Sequence, residues 1–257
     1  MSVTPVNYFS HATAAERYAR FRPYFHPLIA GRLVRFTGCA RFKNVLDVAC
    51  GTGNSARALA DIADQVTGLD SSAAMLAQAP VLPNVTYQAG SAEALPFAEA
   101  SFDLLTVVMA FHWFDQGRFL SEARRVLQPR GWLLLYNNVL LGGMKENPAF
   151  KHWVGLTFLP RYHTPPRARK KVTASYAGGF GFELAGRENT FNEIVMTPEQ
   201  LTGYFLTQSN VIAAVEQGSE SLEEVAAWIA AGVRPFFAQP TATMQFGSDI
   251  FYLRRRE

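Results

Sequence analysis

Val45-Leu46-Asp47-Val48-Ala49-Cys50-Gly51-Thr52-Gly53-Asn54-Ser55 joins an apolar run, a carboxylate near its end and a turn holding two glycines. Asn44 to Ala49 has the pattern of a short buried strand, Cys50 to Gly53 that of a tight turn, and Ser55-Ala56-Arg57-Ala58-Leu59-Ala60 that of an amphipathic helix. Working outward, Gln65 to Asp70 repeats the strand signature, and Ser71-Ser72 before Ala73-Ala74-Met75-Leu76 supplies a helix N-cap. Asn84 to Ala89 and Phe102 to Ala110 predict two more strands. Gln116 to Leu127 predicts a helix ended by Pro129-Arg130-Gly131, and Trp132 to Tyr136 a fifth strand. Strands separated by helical patterns argue for βαβ units, hence a parallel sheet with right-handed crossovers.

On either side of this block the rhythm changes. Ala12 to Phe36 carries apolar residues at helical spacing, cut in two by Pro23 and Pro27. Leu141-Gly142-Gly143 and the basic stretch Arg161 to Lys171 read as insertion or loop. Arg187 to Met196 predicts a strand. Thr197-Pro198-Glu199-Gln200 predicts the start of a helix running towards Val215, with another over Ser221 to Ala231. Ala242 to Phe246 and Asp249 to Leu253 close the chain with alternating patterns. No internal repeat breaks it into an array, so a single domain over 1–257 is expected.

The composition narrows the function classes. Of 257 residues 49% are hydrophobic and 18% charged, below the usual charged share of about 25%, which excludes a polyelectrolyte or disordered chain. A net charge of +3 over this length gives no nucleic-acid footprint. Cys39 and Cys50 lack companions at metal-ligand spacing and cannot build a disulfide framework, so no metal is expected and a reducing, cytoplasmic setting fits. No signal-like segment or membrane-length apolar run is seen, so no membrane partner is expected. Twenty Phe, nine Tyr and four Trp suggest a chain that lines something apolar as well as filling a core.

The chemistry sits in the opening stretch. The glycines let backbone approach a ligand with no Cβ in the way. Asp70, at the tip of the second strand, is where a carboxylate accepts hydrogen bonds from both hydroxyls of a ribose. Together they outline a nucleoside-shaped site. These residues resemble the class I S-adenosylmethionine-dependent methyltransferases, in their small-molecule branch of type 11 and trans-aconitate methyltransferase-like proteins. Asp47 to Gly53 is similar to that family's acid-x-Gly-x-Gly-x-Gly loop, with Ala49 in place of the first glycine, a small-for-small change expected to cost little. Val66 to Leu76 resembles its ribose-binding segment. Gly90-Ser91-Ala92-Glu93-Ala94-Leu95-Pro96-Phe97 with Ser101-Phe102-Asp103 resembles the adenine-side loop and the start of the fourth strand. Ala110-Phe111-His112-Trp113-Phe114-Asp115 matches an aromatic motif of the branch, and Arg124 to Trp132 its leader into the fifth strand. These ordered motifs cover residues 44–137. Tyr18 to Pro23 and Met196 to Leu201 are more weakly similar.

The resemblance implies a cytoplasmic enzyme that binds S-adenosyl-L-methionine, releases S-adenosyl-L-homocysteine and methylates a small molecule, with an oxygen of a carboxylate or hydroxyl as nucleophile. Asp47, Ala49, Gly51 and Gly53 would surround the methionine portion, Asp70 the ribose, and Ser71, Met75, Ser91, Ala92 and Glu93 the adenine. Met109 and Phe111 would be cofactor neighbours at the end of the fourth strand. Tyr8, Tyr18 and Arg22 would belong to a lid, with Arg22 reaching a carboxylate of cofactor or substrate. Met75 also reads as plain core, Glu93 as a first-turn helix acid, and Arg22 as a solvated guanidinium. His112 is either a general base or an aromatic wall residue, and Trp113 either positions substrate or packs in the core. Asp103, at the start of its strand, reads as structural. Methyl transfer from a sulfonium needs no metal and often no base; the protein holds the nucleophile about 3–3.5 Å away, in line and with water excluded.

Two other readings stay open on the residues alone. Gly51 to Ala56 followed by Asp70 also fits a dinucleotide fingerprint, hence an NAD-dependent oxidoreductase, and a non-catalytic cofactor-binding protein would keep the same motifs. The fold the family implies is a Rossmann-like α/β three-layer sandwich whose seven-stranded, mostly parallel sheet ends in an antiparallel strand. Within it, 1–43 is an N-terminal helical segment and lid, 44–138 the cofactor-binding core, 139–186 an insertion or cover, and 187–257 the C-terminal strands and helices. The basic 161–171 segment is either a lid that recruits an acidic substrate or a solvated loop.

Overall fold

The structure of the protein, a computed structural model, describes residues 9–163, 170–216, 218 and 220–257. Tyr8 and part of the basic 161–171 segment lie outside the described residues. The chain divides into two compact units, one of Met1–Pro23, Asn138–Pro166 and Thr190–Ser248, the other of Tyr24–Asn137, Arg167–Asn189 and Asp249–Glu257.

In chain order the elements are α1 (Ala12–Phe21), α2 (His26–Thr37), β1 (Phe42–Val48), α3 (Asn54–Leu59), β2 (Ala63–Asp70), α4 (Ala73–Leu76), β3 (Val85–Ala89), β4 (Phe102–Val108), α5 (Gln116–Val126), β5 (Leu127–Tyr136), β6 (Val139–Met144), α6 (Phe150–Trp153), α7 (Leu159–Arg161), α8 (Ala174–Gly178), β7 (Phe182–Met196), α9 (Pro198–Leu206), α10 (Ser209–Glu216), α11 (Leu222–Val233) and β8 (Ala242–Arg255). A 3-10 turn, Phe111–Trp113, follows β4.

In the Tyr24–Asn137 unit the strands run β3-β2-β1-β4-β5, all parallel, and β8 joins β5 antiparallel. Alternation along the strands sends side chains to two faces. Val45, Val66, Leu104 and Leu134 pack with Phe25, Ile29 and Leu33 of α2 and Ala56 and Leu59 of α3, while Leu46, Val48, Leu105 and Leu133 pack with Phe119, Leu120 and Ala123 of α5. This is the expected α/β sandwich with its mostly parallel sheet. Asp103 has the structural place expected of it: its carboxylate accepts from Lys43 N at 2.7 Å and Asn44 N at 3.0 Å, where β1 begins.

Eight strands are present among the described residues where seven were expected. β6, read as loop from its Leu141-Gly142-Gly143, pairs antiparallel with β8, and the register slips between Leu140 and Gly143. Gly142 takes φ +73°, so the glycines make a bulge within the strand rather than ending it. The count therefore rises by β6, whose Val139 faces Gly247 of β8. The helix expected from Pro198 to Val215 is two, α9 and α10. Thr207 divides them, since its hydroxyl donates to the Tyr204 carbonyl at 2.6 Å and competes with the helical ladder. The two closing patterns are one strand, β8.

The other unit has its own core. Phe150, Phe158, Tyr162, Tyr204, Phe205, Met244 and Phe246 are buried together with Val225, Ile229 and Val233 of α11. Phe158 and Phe205 lie 4.4 Å apart, and the Trp153 ring stands where a Cβ on Gly232 would be, 2.5 Å away. Trp153, Phe158 and Tyr162 thus spend their surface on this core. Among the described residues no helix is long and apolar enough to cross a membrane.

Back in the sheet, Gly68 in the middle of β2 is there for packing. A Cβ on it would meet Tyr87 Cδ1 at 2.7 Å and Cys50 Sγ at 2.9 Å, because the Tyr87 ring of β3 lies across it. Gly68→Ala is therefore expected to destabilise the fold by about 1–3 kcal/mol through overpacking. Tyr87→Ala in the same chain should restore part of that loss, which urea unfolding of the two single variants and the double variant will measure.

Candidate active site

β1 ends in a carboxylate with nowhere to go but into its own chain. Asp47 is completely buried, and it accepts hydrogen bonds from Thr106 Oγ1 of β4 at 2.7 Å and from Ser55 Oγ of α3. Burial pushes its pKa up to about 6, against the pull of these two hydroxyls in the other direction. Ser55 and Thr106 were not singled out from the sequence; a small hydroxyl residue in each element beside a buried acid is the signal that finds them.

The turn that follows is strained and tightly packed. Ala49 sits at φ +55°, Gly51 at +56° and Gly53 at +77°. Ala49 is thus left-handed where the resembled family has glycine, and the cost expected to be small is one an L-residue pays in backbone strain. A Cβ on Gly51 would be 3.1 Å from Met75 Cε, and one on Gly53 would be 2.6 Å from Tyr87 Oη. Met75 is buried, so α4 packs directly against the glycine turn.

Asp70 closes the turn from the next strand. One carboxylate oxygen accepts from Gly51 N at 2.8 Å and the other from Ser72 N at 2.8 Å, and burial raises its pKa. The Ser71 backbone also bonds to this carboxylate, and with about four acceptor sites the half-buried group can still accept from a further hydroxyl. Ser71 beside it is exposed, and Ser72 caps α4 by accepting from Met75 N at 3.2 Å.

The loop after β3 folds back on itself at the isolated bridge Ser91 to Ala94. Ala92 is buried. The carboxylate of Glu93 accepts from Ser91 Oγ at 2.6 Å and from Asp115 N at 3.1 Å, so this acid ties the loop to the aromatic turn ahead of α5. Met109, just after β4, is the second left-handed non-glycine residue of this edge, at φ +55°, with its amide donating to the Tyr136 carbonyl at 2.9 Å. Phe111, His112 and Trp113 are half-buried in the 3-10 turn, the last two with ring centroids 4.8 Å apart. Tyr136, at the end of β5, is buried with its hydroxyl 3.2 Å from His26 Nδ1, and burial alone drives the His26 pKa down to about 3, so that ring is neutral. Neither His26 nor Tyr136 was marked in the sequence, because only the fold brings α2 to the end of β5.

The carboxyl ends of β1, β2 and β4 and the loop after β3 thus bring Asp47, Ala49, Gly51, Gly53, Asp70, Ser71, Met75, Ser91, Ala92, Glu93, Met109, Phe111, His112 and Trp113 into one unit. Tyr18 and Arg22 belong to the other. There the Arg22 guanidinium lies over the Tyr18 ring at 4.8 Å and the Tyr204 ring at 5.2 Å and donates to the Thr207 carbonyl at 2.9 Å, while its buried Nε has no partner among the described residues.

Two polar atoms at the glycine turn test whether a polar ligand belongs there. Thr52 Oγ1 and Tyr87 Oη are both buried with no hydrogen-bond partner among the described residues. Orphaned polar atoms at the glycine turn, next to the half-buried Asp70 carboxylate, fit a nucleoside-bearing ligand.

Residues 46–135 match a family described as a methyltransferase domain. A Dictyostelium discoideum protein named as a methyltransferase is 25% identical over 218 residues, covering 81% of this chain and 80% of that one. Malonyl-[acyl-carrier protein] O-methyltransferase of Erwinia billingiae is 43% identical over 94 residues, a stretch limited to 36% of this chain and 38% of the relative. Among solved structures, one described as a type II methyltransferase from Anaeromyxobacter dehalogenans superposes with a TM-score of 0.65 at 26% identity, covering 88% of this chain and 95% of that one.

Two outcomes test the turn. Ala49→Gly is expected to raise stability by about 0.5–1 kcal/mol, the relief of left-handed strain less the added entropy of the unfolded chain; thermal and urea unfolding read it. For Asp47 the sign follows from a folded pKa of about 6 above an ordinary 3.8. In that window the unfolded chain has released a proton that the folded chain keeps, so stability falls as pH rises from about 4 to 6 and is level above. The stability of Asp47→Asn relative to the parent should therefore climb with pH across that window and then stay flat.

Proposed function

For a chain that belongs to the class I S-adenosylmethionine-dependent methyltransferases, in their small-molecule branch, we propose methyl transfer to an oxygen nucleophile, a carboxylate or hydroxyl, on a small and partly apolar acceptor. The family assignment replaces the nicotinamide reading of the glycine turn and that of a silent binding protein. Bound at this edge, S-adenosylmethionine supplies a methyl group already activated on a sulfonium.

What this chain's residues do follows from their placement. Asp70, held by Gly51 N and Ser72 N, accepts from the ribose hydroxyls. Ala49, Gly51 and Gly53 keep the backbone close to the methionine portion, and Asp47 fixes that turn from below, its two oxygens already taken up by Ser55 and Thr106. Ser71, Met75, Ser91, Ala92 and Glu93 enclose the purine, and Met109 and Phe111 flank the reactive end. Trp113 gives the acceptor a flat apolar wall that keeps water away. His112 takes the proton of a hydroxyl acceptor, whereas a carboxylate needs no base.

The observation that carries the reading is the half-buried Asp70 carboxylate, anchored by backbone amides of the glycine turn and of the start of α4 at the carboxyl edge of the sheet. The choice of oxygen rests on the O-methyltransferase relative, 43% identical over 94 residues, and on the half-buried aromatic turn.

Two measurements test it. Asp70→Ala should weaken calorimetric binding of S-adenosylmethionine and S-adenosylhomocysteine about 100-fold, the loss of hydrogen bonding to a charged acceptor; unchanged binding removes the assignment. With methyl-labelled donor and a panel of small carboxylic acids, alcohols, phenols and amines, label should enter base-labile esters or ethers, and label found only in amines overturns the oxygen reading.

A further inference from the structure

The loop Gly90 to Phe97 has no regular element of its own, yet it is held from one leg to the other. Gly90 N donates to the Asp70 carbonyl at 3.0 Å, so the first leg hangs from the strand that carries the ribose-binding acid. The second leg hangs from two side chains of α5. Glu122 Oε2 accepts from Leu95 N at 2.8 Å. Arg125 Nη2 donates to the Leu95 carbonyl at 2.8 Å, and its Nη1 donates to the Phe97 carbonyl at 2.6 Å. Leu95 is therefore gripped on both its amide and its carbonyl, as a strand neighbour would grip it, but by side chains.

The grip is itself braced. Arg125 Nε meets Glu122 Oε1 at 2.8 Å and Nη2 meets Oε2 at 2.7 Å, a fork of two parallel bonds across one helical turn. Every nitrogen of this guanidinium is committed, and a lysine has neither the planarity nor the donors to replace it. A half-buried pair one helical turn apart contributes modestly to global stability. Its two carbonyl bonds and one amide bond fix the course of the loop's second leg, beside the burial of Ala92 and Leu95 in the core.

We infer that Glu122 and Arg125 are positioning residues for base recognition: by gripping Leu95 and Phe97 they hold the Ser91 to Glu93 turn in the place where it reads the purine of the methyl donor. The inference rests on the proposed function, which sets the purine against Ser91, Ala92 and Glu93. Glu93 extends the same device, since its bond to Asp115 N joins the tip of the loop to the N-cap of the helix that carries the pair. α5 thus sets the loop at both its tip and its second leg.

Calorimetry on the full chain with S-adenosylhomocysteine and S-inosylhomocysteine, which differ only at the C6 substituent and N1 of the base, separates this role from a merely structural one. The wild type should prefer the adenine ligand. Arg125→Gln should weaken S-adenosylhomocysteine binding about tenfold, as expected for lost charge-assisted bonds, and bring the ratio of the two affinities towards one. Arg125→Lys should behave like the glutamine variant, because charge without the fork does not grip both carbonyls. All titrations are run well below each variant's unfolding temperature. Wild type that binds neither ligand removes the methyl-donor reading itself. Wild type that binds without discriminating, an Arg125→Gln variant that keeps the wild-type ratio even with both affinities reduced, or full rescue by lysine overturns the positioning role while leaving that reading intact.

Discussion

A carboxylate buried without access to water is expensive, and Asp47 is such a group at the end of the central strand. It is tolerated because two hydroxyls point at it, Thr106 from the neighbouring strand and Ser55 from the helix after the glycine turn. Three elements are thereby pinned at one point. The turn leaving β1 has little freedom: it must pass between a fixed strand end and a fixed helix start, and it does so with three consecutive odd-numbered residues, Ala49, Gly51 and Gly53, in the left-handed region. The amide of Gly51 then faces Asp70. The contact between Asp70 at the tip of β2 and the glycine turn thus depends on the buried acid of β1.

Around this centre the carboxyl edge is organised by polar straps rather than by regular structure. Asp70 holds the glycine turn and the start of α4, Glu93 joins the loop after β3 to the turn before α5, and Glu122 with Arg125 holds the loop's other leg. Loops at a sheet edge have backbone groups with no ladder to join, and charged side chains from neighbouring helices take the place of the missing strand. Left-handed backbone at both Ala49 and Met109 places strain at the ends of β1 and β4, the positions a ligand at this edge would adjoin.

The aromatic surplus divides between two physical roles. Phe111, Trp113 and Phe114 stay half-buried beside the candidate site, while Phe150, Phe158, Tyr162, Tyr204 and Phe205 fill the core of the Asn138–Ser248 part of the chain. That core combines the short helices α6, α7 and α9 to α11 with Met144 of β6 and Met244 and Phe246 of β8. Large rings fill the irregular space between them where aliphatic side chains would leave gaps.

The sequence by itself determined the alternation of strands and helices from Phe42 to Tyr136, the glycine turn and the acids on either side of it. Each of these is written in local terms: a hydrophobic period, a turn residue, or a capping residue next to its helix. Local rules failed where a distant partner decided the outcome. Leu141-Gly142-Gly143 is part of a strand because β8 pairs with it. The partners of Asp47 and the grip of Arg125 on Leu95 were likewise decided only by tertiary structure. Ser55, Thr106 and Arg125 are unremarkable residues in their own elements, and their meaning comes from buried or unladdered polar groups that only the folded chain brings within hydrogen-bond reach.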